Sequence, residues 1–89
     1  MSAGEHVGAL VSERQTTHGQ FSQNAIYAQQ LRSLFRSSPR WAQIPAVQAE
    51  SLDMIATKLS RILSGQGDCA EHWEDLEGYA RLAREACSR

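Results

Sequence analysis

The stretch Met54–Ala83, MIATKLSRILSGQGDCAEHWEDLEGYARLA, decides the fold. It reads as two amphipathic helices joined by a very short turn containing glycine. The first is part of a helix expected from Pro45 to about Ser64. Its main stripe is Gln48, Leu52, Ile55, Leu59, Ile62 and Leu63, and Val47 and Met54 lie on a second side. A helix apolar on more than one side is central, or shared with another subunit. Gly65 stands where a left-handed residue closes a helix. Asp68-x-x-Glu71 has the form of a capping box, so the second helix is expected from Cys69 to about Cys87. Its stripe, Cys69, Trp73, Leu76, Ala80, Ala83 and Cys87, alternates steps of four and three, the seam of coiled-coil-like packing. So short a link forces the two helices antiparallel.

Working outward, a helix is expected from Ser22 to Ser37, capped by Ser22 or Asn24. Tyr27, Leu31, Leu34 and Phe35 recur along it at helical spacing. Ser37-Ser38-Pro39 ends it, because proline disfavours a helical residue before it. Trp41, in the connector that follows, is expected over an end of the bundle. Pro45 suits the first position of the next helix. Further upstream, Val7, Leu10, Val11 and Arg14 suggest a short helix over Glu5–Gln15, stopped by Thr16–Gln20. Residues 1–4 are expected to be disordered. No β pattern or internal repeat is present. The fold class expected is therefore all-α: a small antiparallel helical bundle of three long helices and a short N-terminal one, in a single domain over residues 1–89.

A chain of 89 residues buries a modest share of its surface. Oligomerisation is the remedy this sequence suggests, so a homo-oligomer is expected. Cys69 and Cys87 would lie about 27 Å apart on one helix at roughly 1.5 Å per residue, beyond disulfide reach. They read as reduced thiols. The formal charge is −1, with no basic block, which argues against duplex nucleic acid as a partner. No apolar run suits a signal peptide or a membrane span. The expectation is a soluble cytoplasmic protein with no membrane partner.

Most charges of the last helix match its macrodipole: Glu71, Glu74 and Glu77 lead, and Arg81 and Arg84 follow. Asp75 departs from that pattern. It falls beside His72, Tyr79, Leu82 and Ala86 on the shoulder of the apolar stripe, where a carboxylate must be paired, metal-bound or at a cleft. One reading is a salt bridge to Lys58 or Arg14; the other is a functional site. Lys58, the sole lysine, either snorkels from its apolar shoulder or contacts a phosphate. Glu50-x-x-Asp53 sets two carboxylates on one helical face, where they could share Mg²⁺. His18-Gly19, with Asn24 beyond, could meet an anion at a helix start. Gly78 in mid-helix suggests a close helix approach or a ligand against the backbone. No phosphate-binding Gly-Lys loop, nucleophile elbow or Cys–His pair is present.

Arg14-x3-His18-Gly19, Phe21 with Asn24, Met54-x3-Lys58-x2-Arg61, and Asp75-x2-Gly78-Tyr79-Ala80-x-Leu82 together resemble a small helical domain common in phages and prophages. That family is similar to the MazG-like all-α nucleoside triphosphate pyrophosphohydrolases. The resemblance covers roughly residues 10–86, and His18 stands where the family usually has tyrosine. It implies a helical oligomer with clefts between subunits. It also implies a ligand set drawn from Asp75, Lys58, His72, Tyr79, His18 and Asn24, and Mg²⁺ on Asp75, Glu50 and Asp53. The enzymes carry Glu-Glu-x-x-Glu followed by Glu-x-x-Asp on the next helix. Here Glu50-x-x-Asp53 matches the second half, and Gln29–Arg36 holds no acid. Two expectations follow. The first is a non-catalytic oligomeric module that binds a nucleotide or a host protein. The alternative is a Mg²⁺-dependent nucleoside triphosphate pyrophosphohydrolase.

Overall fold

In the computed structural model, which describes residues 21–87, three long helices follow one another: α1 (Phe21–Arg36), α2 (Ala46–Arg61) and α3 (Ala70–Ala86). No strand occurs among the described residues. The expected helix over Glu5–Gln15, with Arg14 and His18, lies outside them.

Helix α1 is already helical at Phe21, so Ser22 and Asn24 sit inside its first turn rather than capping it. It stops at Arg36, where Ser37 Oγ donates to the Leu34 carbonyl at 2.6 Å ahead of Pro39. A single 3-10 turn, Trp41–Gln43, carries the chain to Pro45. Pro45 caps α2 in an extended conformation (φ −60°, ψ 154°) instead of opening it from within. Its lack of an N–H costs nothing there.

Helix α2 runs on through a widened turn, Ile62–Gln66, and is closed by Gly65 at φ 109°, as the spacing anticipates. The Cys69 amide then donates to the Gln66 carbonyl at 3.2 Å. This bond delays α3 by one residue. Cys69, not Asp68, occupies the cap position and makes no side-chain cap bond, so the expected capping box does not form.

Helix α2 is central. It packs antiparallel against α1 on one side and α3 on the other, and α1 and α3 share no packed interface. Its deepest positions are Ser51, Ala56 and Ser60, all small. The larger stripe residues Leu52, Ile55, Leu59 and Ile62 are only half-buried, and Leu63 is exposed. Small side chains let the helix backbones approach closely. Ser60 meets the cost of burying its hydroxyl by donating to the Thr57 carbonyl at 2.6 Å.

The largest departure from expectation is the rotation of α3. Trp73 is 50% exposed and Ala80 is exposed, whereas the neighbouring His72 is only 3% exposed. The helix meets α2 through His72, Asp75 and Tyr79, sharing Leu76 and Ala83 with the expected seam. That face is turned by roughly 60° from the expected seam at about 100° per residue. The former shoulder is the centre of the packing face, and the heptad stripe lies at its edge, with Trp73, Ala80 and Cys87 exposed. Gly78 is exposed, and a Cβ built there would meet nothing within 4 Å. It therefore does not mark a close helix approach.

Candidate functional site: a cleft between α1 and α2

Lys58 and Asp75 come together. Lys58 Nζ lies 2.7 Å from Asp75 Oδ2, joining α2 to α3. This is the salt bridge weighed from the sequence. His72 and Tyr79, three residues before and four after Asp75, share its face of α3. Beyond Asp75, a shallow open groove follows Glu74, Gly78, Tyr79, Arg81 and Leu82 along this single helix.

Asp53 is drawn to the opposite side of α2. Arg36 grips it with both guanidinium nitrogens, Nη1 to Oδ1 at 3.0 Å and Nη2 to Oδ2 at 2.7 Å. Arg32 stands 3.7 Å from Oδ1 through Nε. Its Nη2 donates to the Asp53 carbonyl at 3.0 Å and to Thr57 Oγ1 at 2.6 Å. The hydrogen bonds from Arg36 hold the Asp53 carboxyl below its ordinary range, against the opposing effect of partial burial. The same contact raises Arg36. The guanidinium also lies over the Trp41 ring, 4.6 Å from its centroid, and that ring stacks on Phe35 at 6.0 Å and 21°. Trp41 thus packs at the end of α1, as expected for a ring closing an end of the helical layer.

Because Asp53 faces α1 and Asp75 faces Lys58, the structure does not bring the expected set of Asp75, Glu50 and Asp53 to one point. Glu50 is exposed on α2. Among the described residues no three His, Cys, Asp or Glu side chains come together in a way that could hold a metal ion. Mg²⁺ chemistry through that set therefore has no assembled ligand sphere within this part of the chain.

Asn24 lies elsewhere. It lines a cleft of about 210 Å³ between α1 and α2 with Phe21, Arg32, Thr57, Ser60 and Arg61. Among the described residues its lining holds two guanidinium groups and no carboxylate. Arg32 is oriented by Thr57 and Asp53, whereas Arg61 has no ion-pair partner among the described residues. Two guanidinium groups, with hydroxyl and amide groups in the same lining, suit a multivalent oxyanion. Phe21, 74% exposed, sets an aromatic ring at the rim.

Sequence reasoning singled out Asn24 here but missed Arg32, Thr57 and Arg61 as lining. A signal was available. Arg32-x3-Arg36 and Asp53-x3-Thr57 are both i,i+4 pairs, and two antiparallel helices can lay such pairs across each other.

No helix among the described residues is long and apolar enough to cross a membrane. Comparison of the chain with protein-family models, with curated proteins and with solved structures finds no match.

Proposed function

We propose that this chain is a non-catalytic helical binding module that takes a phosphate-bearing ligand of the nucleotide class in the cleft between α1 and α2. The observation that carries the reading is the pair of guanidinium groups in that cleft: Arg32, held from behind by Asp53, and Arg61, which has no ion-pair partner among the described residues, line it with Asn24 and Thr57. Phosphate oxygens are the natural partners of such paired forks, and Phe21 offers a face for a base. The resemblance of the chain to a phage and prophage helical domain with a MazG-like fold points to the same ligand class.

The non-catalytic reading rests on the acids. Asp53 is committed to Arg36 and Arg32, and Asp75 to Lys58. A Mg²⁺-dependent pyrophosphohydrolase needs carboxylates free to share a cation against a triphosphate.

The test is a thermal-shift panel of nucleoside mono-, di- and triphosphates and inorganic phosphate, run with pyrophosphate-release assays in Mg²⁺. The expected result is a rise in melting temperature with a nucleotide, lost in Arg61→Ala, and no pyrophosphate release. Release abolished by Asp75→Asn would replace this reading with the enzymatic one. No shift with any nucleotide would leave a protein-binding role, for which a host protein is the partner class.

A further inference from the structure

We propose that the outward seam of α3, together with the adjoining stripe of α2, is a docking surface for a second copy of this chain, packed with its α3 antiparallel to the first. The inference is independent of the ligand reading.

The seam is a complete pattern that the hairpin uses only along one edge: Cys69, Leu76 and Ala83 are half-buried. Cys69, Trp73, Leu76, Ala80, Ala83 and Cys87 recur in the alternating steps by which one helix meets another along its length. Helix α2 engages chiefly the neighbouring strip of His72, Asp75 and Tyr79, so Trp73 stays 50% exposed and Ala80 and Cys87 are exposed. Two contacts show that this seam runs beside the apolar stripe of α2. At one end Gln48 Nε2 reaches Cys87 Sγ at 3.8 Å. At the other, Trp73 Nε1 donates to the Gly67 carbonyl at 2.8 Å, just beyond the exposed Leu63. Between these points Leu52 and Leu59 are half-buried. The result is one apolar face two helices wide, open among the described residues.

Charge selects both the occupant and its direction. The N-terminal half of α3 carries Glu71, Glu74 and Glu77, and its C-terminal half carries Arg81 and Arg84, all exposed. Glu77 and Arg84, seven residues apart, border the seam on its outer flank. A second α3 laid antiparallel sets each acidic half over a basic half and opposes the two helix dipoles. A parallel copy stacks acid on acid and base on base. One surface that complements itself across a two-fold axis is the signature of an isologous dimer. Ala80 and Ala83 near the crossing permit close approach, and two such hairpins make a four-helix bundle.

The experiment is sedimentation equilibrium of the full chain, followed by cross-linking of its native cysteines with a short bismaleimide and peptide mapping. The expected mass is twice the 9.9 kDa of the chain. Cross-links are expected between Cys69 of one copy and Cys87 of the other. Ala80→Glu is expected to give a monomer with unchanged helical circular dichroism. Glu77→Arg is expected to weaken the dimer, and adding Arg84→Glu to restore it. A folded monomer at micromolar concentration overturns the proposal. So does a dimer untouched by Ala80→Glu, or one whose links join Cys69 to Cys69 and Cys87 to Cys87. If Ala80→Glu fails to fold, the Glu77 and Arg84 exchange decides.

Discussion

Lys58 and Asp75 share a 2.7 Å ion pair in which the lysine is the hidden member: its side chain is 12% exposed and that of the aspartate 39%. The two ends of such a pair are not equivalent under mutation. Removing the carboxylate strands a nearly buried ammonium, whereas removing the ammonium leaves a carboxylate that water already reaches. Asp75→Ala is therefore expected to cost about 1–2 kcal/mol, and Lys58→Met under ~1 kcal/mol. Urea denaturation of the two variants checks the asymmetry. Equal losses would show that Lys58 is better hydrated than its exposure indicates.

Asp53 gives the chain an acid-sensitive contact. Its folded-state pKa is depressed, chiefly by hydrogen bonds from Arg36. The stability it contributes is complete above its unfolded value of about 3.9. That contribution is lost as pH falls through the lower folded value. Melting temperature measured downward from about pH 5 should fall less steeply in Arg36→Ala than in the parent.

Arg36→Lys tests a different property of the same residue. A lysine keeps the charge but cannot grip both carboxylate oxygens while lying flat on Trp41. A loss of about 1 kcal/mol is expected, along with a change in Trp41 fluorescence. Full retention of stability would mean that charge alone holds the contact.

The two glycines at 65 and 78 should respond to alanine with opposite signs. Neither has a neighbour within 4 Å of a built Cβ, so backbone conformation decides. Gly65, at φ 109°, is expected to lose about 1 kcal/mol on substitution. Gly78, inside α3, is expected to gain up to ~1 kcal/mol. Thermal denaturation reads both, and a loss at Gly78 would mean that something docks against the α3 backbone.

The helices themselves were legible because their punctuation is local. Pro39 disfavours continuation of α1, Pro45 precedes α2, and Gly65 supplies a left-handed closure. What the sequence did not reveal was the use of each face. Periodicity says that α3 has an apolar stripe, but it cannot name the neighbour that covers it. The nearest helix took His72, Asp75 and Tyr79 instead, with Asp75 fixed there by Lys58. The missed capping box has a similar origin. Asp68 and Glu71 have the right spacing, but the Cys69–Gln66 hydrogen bond fixes the turn one residue further on. The Lys58–Asp75 pair could be weighed from sequence because both residues stand on the shoulders of facing stripes. The cleft between α1 and α2 was harder to see, since each of its arginines looks like an ordinary solvated charge.

The central place of α2 has a mechanical consequence. Since α1 and α3 share no packed interface, among the described residues α2 is the main strut between the Arg32–Arg61 cleft and the α3 seam. Its most deeply buried positions are Ser51, Ala56 and Ser60, all short side chains. The two flanks are thus related to each other chiefly through this one helix. The proposed ligand of the cleft and the proposed partner at the seam would then both bear on the same helix.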